Sequence, residues 1–360
     1  MQLTQHKKHA FVFLDPFAKH VRKTRSRFIA SLEQLPPSTR SRIQAHVHRR
    51  LSQRARRPRP LIGEYAPWLA ADLLGIQDVR LVRETAIAWL NVYFFTLILD
   101  DAIDNNPKDA HSDYIASCLL LQRGLTHLHL LSKNRRRLGL NIDCAFSRTA
   151  EATIQELLNH RNKISDYGSN DVATLGNKIG LLGVCTSAVS ELAPISRMKL
   201  KHAEVAFAKL ATAIQLLDDL TDWQEDLDTG NLTFPLTFTL ERATGSHSKQ
   251  NLFRSARRNA HDKILLSMVQ TGAIEETLTF AIEALKKAAA SIRAVGRTGD
   301  GVLTHRYVDA LISNCQYART AIARYRLNLR DRSDSRNTLR NNANVLAAIR
   351  RTLQVVAQKS

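Results

Sequence analysis

The sequence predicts an all-α fold, a single helical bundle built around a deep apolar cavity. Three observations lead there. Apolar residues recur three and four positions apart through most of the 360 residues. Glycine (14) and proline (9) are scarce, so breaks between helices are few and short. No stretch alternates apolar and polar residues as a half-buried strand would, and no repeat of solenoid period is present.

Residues 1–59 read as a basic, partly helical N-terminal extension with two helical patterns broken at Pro36-Pro37. Phe17, Val21, Phe28, Ile29 and Leu32 form an apolar stripe on the first, and the charge around them reads as a solvated face. Arg56, Arg57 and Arg59 are held together by prolines just before a helix, where guanidiniums can bind phosphate oxygens in pairs. The main domain is expected over 60–330. Leu61–Leu74 is a helix ended by Gly75; Val79–Asp104 is a long, very apolar one stopped by Asn105, Asn106 and Pro107. Asp113–Leu131 and Phe146–Ile164 follow, then a break at Tyr167–Asn170. The helix expected over Val172–Leu192 carries Gly176, Gly180 and Gly183, each costing about 1 kcal/mol against alanine, which points to close packing or a bend. Lys178 is a lone cation on that apolar segment, to be read either as snorkelling to the surface or as a phosphate ligand. After an acid-rich stretch, a polar loop covers Glu241–Gln250, and helices are expected over Leu252–Gln270, Ile274–Val295 and Leu303–Leu327. The tail, 331–360, reads as a loosely attached basic helix.

Two groups of carboxylates carry the chemistry, each at the carboxyl end of an apolar helix. The first is Asp100, Asp101 and Asp104. The second is Asp218, Asp219 and Asp222, followed by Glu225, Asp226 and Asp228. Helical spacing puts Asp100 with Asp104 on one face, and Asp218, Asp222 and Asp226 on another. Like charges so spaced destabilise a helix unless something neutralises them. Hard oxygen ligands suit Mg²⁺, which keeps several waters and shares substrate phosphates. A cavity with apolar walls and a carboxylate mouth fits a molecule with a hydrocarbon tail and a diphosphate head, and the metal makes diphosphate a better leaving group.

Composition narrows the alternatives. A net charge of +19 invites nucleic-acid binding, but no helix-turn-helix, zinc-finger or aromatic-strand motif accompanies it. No nucleic-acid partner is therefore expected. The four cysteines form no CxxC pair and the thirteen histidines no HExxH, so neither a disulfide framework nor a zinc site is expected. No secretory signal is visible, and no apolar run approaches the roughly twenty residues needed to span a bilayer. The expectation is a soluble, cytoplasmic protein, with peripheral membrane contact and a homodimer left open.

At the acid groups the sequence resembles the class I isoprenoid diphosphate enzymes, and most of all their trans-prenyl diphosphate synthase branch. Asp100, Asp101 and Asp104 match the first aspartate-rich motif, DDxxD; Gln215, Asp218, Asp219 and Asp222 match the second. Arg56–Leu61 is similar to the segment GGKRxRPxL, and Lys178 with Ile179 to a Lys-Thr motif. The resemblance implies three Mg²⁺ ions, bridging the acid groups to an allylic prenyl diphosphate whose ionisation gives a carbocation. It also implies diphosphate-binding roles for Arg56, Arg57, Arg59, Lys178 and Gln215.

The chain departs from the chain-elongating pattern. Arg54 and Ala55 replace the two glycines, no Arg-Arg-Gly follows Asp104, and the second motif runs straight through Trp223–Leu236 without a lysine-glycine insertion. That shorter form resembles head-to-head synthases at Asp222, Glu225 and Asp226. Arg324-Tyr325 is similar in order to an Arg-Tyr pair that contacts diphosphate in bacterial terpene synthases. The expectation is therefore a prenyl-synthase-like terpene synthase, a lyase that ionises farnesyl or geranylgeranyl diphosphate and cyclises or quenches the cation. Trp89, Tyr93, Phe94 and Phe95, with Thr96 beside them, are the cavity candidates, since aromatic faces stabilise cations. Phe95 resembles the bulky position that limits chain depth in short-chain synthases. The alternatives are a head-to-tail prenyl diphosphate synthase using isopentenyl diphosphate, a head-to-head synthase, and a non-catalytic basic binding homologue.

Overall fold

The computed structural model describes residues 10–56, 62–104, 110–162, 172, 175–229, 231–243, 261–295, 300–330 and 346–353. Side chains are described for these except at 10, 11, 53–56, 103, 104, 156–162, 229, 243, 328 and 330. After a 3-10 turn at Ala10–Leu14, the helices are α1 (Asp15–Ser31), α2 (Pro37–Arg56), α3 (Ile62–Leu74), α4 (Val79–Asp104) and α5 (Ala110–Leu131). Then come α6 (Arg135–Asn162), α7 (Leu182–Ser190), α8 (Arg197–Thr221), α9 (Trp223–Thr229) and α10 (Phe234–Ala243). The last are α11 (His261–Thr271), α12 (Ala273–Val295) and α13 (Val302–Arg330), with a further helical segment over 346–353. The fold is all-α, with no strand among the described residues.

The centre of the bundle is the pair α8 and α12. Both helices bury many small side chains: Ala203, Ala206, Ala211 and Ala213 on one, Ala281, Ala284, Ala288 and Ala289 on the other. Small buried side chains let helix axes approach closely. Helix α13 packs on α12, α3 on α7 and α4, and α4 most extensively on α5.

Local chemistry explains the ends. Gly75, at φ +70°, closes α3, its N–H bonded to the Asp72 carbonyl and that of Ile76 to the Ala71 carbonyl. This pair of reversed bonds satisfies two carbonyls left over by the helix and needs a left-handed residue. The Asp72 carboxylate then caps the start of α13, accepting from Thr304 N at 2.9 Å and Thr304 Oγ1 at 2.7 Å. Pro67 lies inside α3 and has no N–H to offer the Gly63 carbonyl. Trp89 Nε1 donates to that carbonyl instead, at 2.7 Å, tying α3 to α4.

Several expectations change. Helix α6 begins at Arg135 rather than near Phe146. The segment expected as one helix over Val172–Leu192 is broken: 176–181 forms successive turns, in which Lys178, Gly180 and Leu182 N–H bond to carbonyls three residues back. The breaks expected at Asn105–Pro107 and Tyr167–Asn170, and most of the polar loop at Glu241–Gln250, lie outside the described residues, as does the first part of the helix expected from Leu252. The tail is not loosely attached over 346–353, where Leu346, Ile349 and Leu353 are buried in the main core and Arg350 pairs with Asp262. Helix α4 is long and apolar enough to cross a membrane by length and composition, contrary to expectation, but 67% of that window is buried among the other helices.

The basic N-terminal helices are docked through their apolar stripes. Phe28, Leu32, Ile43 and Val47 form a second core with Leu90, Phe94, Phe95 and Ile98 of α4 and with Ala116 and Leu120 of α5. One charge of α1 turns inward: Arg25 makes a two-pronged ion pair with Glu64 of α3, whose side chain is 1% exposed. Removing one partner of such a pair strands a buried charge. Arg25→Ala should lower unfolding stability by about 3 kcal/mol, measured by urea denaturation, with Arg25→Ala/Glu64→Gln recovering part of the loss.

Candidate active site

The second acid group sits where α8 ends. The helix closes at Asp222, at φ −104° and ψ 9°, and α9 resumes one residue later. Asp222 N bonds to the Asp218 carbonyl at 2.9 Å and Asp226 N to the Asp222 carbonyl at 3.0 Å, so four-residue spacing survives the kink. Asp219 is buried and accepts from Gln215 Nε2 at 2.8 Å, one helical turn back. Asp226 accepts from Asn231 Nδ2 at 3.1 Å. Burial, then Asp219, pushes the Asp226 carboxyl up to about 8; Lys178 pulls it down, and Asp222 pushes it further up.

Lys178 therefore faces this group, placed there by a close approach. A Cβ on Gly176 would lie 2.7 Å from the Thr212 backbone nitrogen of α8, so only glycine fits there. Thr149 Oγ1 of α6 donates to the Asn177 carbonyl at 2.8 Å and pins the same turn.

The first acid group occupies the end of α4. Asp100 is exposed, whereas Asp101 is turned toward α2. The Asp104 side chain lies outside the described ones, as does that of Arg56; Arg57 and Arg59 lie outside the described residues. The Asp101 carboxyl is raised by burial but lowered more by the His46 hydrogen bond and by Arg50 and Arg49, so it falls below its ordinary range. His46 is raised by its bond to Asp101, against the opposing effect of burial.

Tyr93 belongs to the same helix as the first group. It stands two helical turns before Asp100, and its hydroxyl is pushed up by burial first, then by Glu64, with Arg50 opposing and Asp218 adding. Gly63 makes room for the ring, since a Cβ there would lie 2.4 Å from it.

The other cavity candidates divide. Trp89 is spent on the Gly63 carbonyl, and Phe94 lies flat on Phe28 at 5.1 Å, in the second core. Phe95 meets Phe146 of α6 at 6.4 Å, and Thr96 Oγ1 donates to the Tyr93 carbonyl at 2.7 Å. Arg324 is exposed and Tyr325 packs against the main core. Tyr307, earlier on the same helix, was missed: it is fully buried, and its hydroxyl is pushed up by burial and then by Asp218. No motif marks it; only its place on the buried stripe of α13 could have.

Among the described residues no three His, Cys, Asp or Glu side chains are gathered closely enough to hold a metal ion by themselves. The donor set nevertheless suits a hard dication, because burial first and then the neighbouring Asp219 and Asp222 hold Asp226 toward its protonated form, a balance that added positive charge would reverse. Such an ion would share its coordination with phosphate oxygens and waters.

No family model matches the sequence, and no curated protein matches it. Solved structures do. The geranylgeranyl pyrophosphate synthase of Lactobacillus brevis is similar with a TM-score of 0.68 at 15% identity, over 84% of this chain and 98% of its own. The polyprenyl synthase of Caulobacter crescentus, complexed with calcium and isoprenyl diphosphate, scores 0.67 at 17% identity, over 86% and 99%. The octaprenyl pyrophosphate synthase of Helicobacter pylori scores 0.58 at 17% identity, over 86% and 100%. The chain has the fold of the trans-prenyl diphosphate synthases, an all-α class I isoprenoid fold. These neighbours overturn the expected lyase: they are named as synthases of prenyl diphosphates, and the cyclising terpene synthase reading is set aside.

The Asp226 carboxyl, ordinarily near 3.8, titrates near 8 in the fold, so its protonated form contributes stability fully present below pH 3.8 and lost as pH rises through about 8. Asp226→Asn should therefore raise the melting temperature of the metal-free protein at pH 9 and change it little at pH 5, in thermal unfolding with chelator present.

Proposed function

We propose that the protein is a head-to-tail prenyl diphosphate synthase, joining isopentenyl diphosphate to an allylic prenyl diphosphate. The observation that carries this reading is the pair of apolar helices α4 and α8, each ending in carboxylates, in a fold whose neighbours are named as prenyl diphosphate synthases. The allylic C–O bond breaks and its electron pair leaves with diphosphate. The terminal carbon of isopentenyl diphosphate then attacks the allylic cation, and loss of a proton restores an allylic diphosphate.

Mg²⁺ bound between the acid groups would polarise the diphosphate and make it a better leaving group. The residues that would hold it are Asp100 on one side and Asp218, Asp219, Asp222 and Asp226 on the other. Gln215 keeps Asp219 in place by donating to it. Lys178, near enough to lower the Asp226 carboxyl, supplies a cation for a phosphate oxygen. A second diphosphate needs further fixed cations, and Arg49, half exposed beside the first acid group, is one such cation.

Incubation with isopentenyl diphosphate, Mg²⁺ and geranyl, farnesyl or geranylgeranyl diphosphate should yield a longer prenyl diphosphate, read by chromatography after dephosphorylation. Asp219→Ala should lower turnover by about 100-fold or more. A hydrocarbon or alcohol formed equally well without isopentenyl diphosphate would overturn the proposal.

A further inference from the structure

Helix α2 offers more than charge. Ile43 and Val47 dock it against α4 and α5. Arg42, His46, Arg49 and Arg50 recur at the same helical spacing and so share the adjoining stripe. His46 is 6% exposed, with Nδ1 3.3 Å from Asp101 Oδ2 and Nε2 3.0 Å from Asp113 Oδ2 of α5. Arg50 Nη2 donates to Asp101 Oδ1 at 2.5 Å, and Arg49 Nη2 lies 3.8 Å from Asp101 Oδ2. Behind the imidazole, Arg42 Nη1 donates to Asp113 Oδ1 at 3.2 Å.

Both carboxylate oxygens of Asp101 are thus engaged by α2. Its neighbour Asp100 projects about 100° away around the helix and is exposed. Two adjacent carboxylates at a helix C-terminus repel each other and the helix dipole. Pairing one of them with fixed cations lets the other stay ionised at lower cost.

We propose that His46 and Arg50 are positioning residues which hold Asp101 out of the metal site and leave Asp100 to serve it. The proposal rests on the prenyl diphosphate synthase reading. Asp113 and Arg42 complete the device by fixing the imidazole from its far side. The grip is polar and directional, so it sets a rotamer, which a buried apolar contact in its place would not.

The test is calorimetric titration of Mg²⁺ in the presence of inorganic diphosphate, on the full-length protein. Asp100→Asn should weaken Mg²⁺ binding about 30-fold, and Asp101→Asn less than about threefold. In the His46→Ala/Arg50→Ala background the released Asp101 can reach the metal. There the same Asp101→Asn change should weaken binding at least about fivefold, an interdependence that a purely structural contact would not produce. Arg50→Gln, which opens half of the grip, serves if the double variant does not fold. Equal losses for Asp100→Asn and Asp101→Asn in the wild-type background would show that Asp101 is itself a ligand and sink the proposal. Silence of Asp101→Asn in both backgrounds would sink it too. If the wild-type protein binds no Mg²⁺ with diphosphate, the synthase reading fails first; if it binds and the pattern is absent, only the positioning role fails.

Discussion

Carboxylates placed at the negative ends of two helices are the constraint around which this structure is arranged. The carbonyl end of a helix carries roughly half a negative charge, so aspartates there are opposed by the backbone as well as by each other. Both α4 and α8 end this way. The rest of the site reads as a set of partial answers: an amide from Gln215 for Asp219, an amide from Asn231 and the charge of Lys178 for Asp226, and two cations of α2 for Asp101. These answers reduce the repulsion without removing it, and burial together with what remains raises the proton affinity of Asp226. A site so balanced is poised for added positive charge.

Much of the fold was legible because long apolar periods and end signals agreed. Helix α4 runs over the residues that its pattern and stop signal imply, and α12 and α13 differ from expectation by a few residues. The failures share a cause. The segment around Gly176 has helical composition, but close approach to Thr212 of α8 forces turns there, and that contact is not local in sequence. His46 carries no signal among the arginines of α2, since its meaning depends on Asp101 and Asp113 from two other helices. Tyr307 is silent in the same way.

The branch of chemistry was the hardest part to read, for a related reason. The absent Arg-Arg-Gly after Asp104 argued against a second diphosphate site, because a motif is a local record of where cations stand. Cations can also come from elements that no local motif records, as Arg49 and Arg50 of α2 do beside Asp101 and Lys178 of a turn does near Asp226. The likeness to prenyl diphosphate synthases persists at 15–17% identity because packing fixes the helix frame while individual charges are free to move between elements.

Helix α4 has a consequence beyond the site. Its apolar surface is covered by α1, α2 and α3, which precede it in the chain, and by α5, which follows at once. Contacts between neighbours in sequence form early, so the segment most able to enter a lipid bilayer meets its protein partners as soon as it is made. The basic helices at the start of the chain thus act as an internal wrapper for the most water-averse helix, and shortening the protein from that end would uncover it.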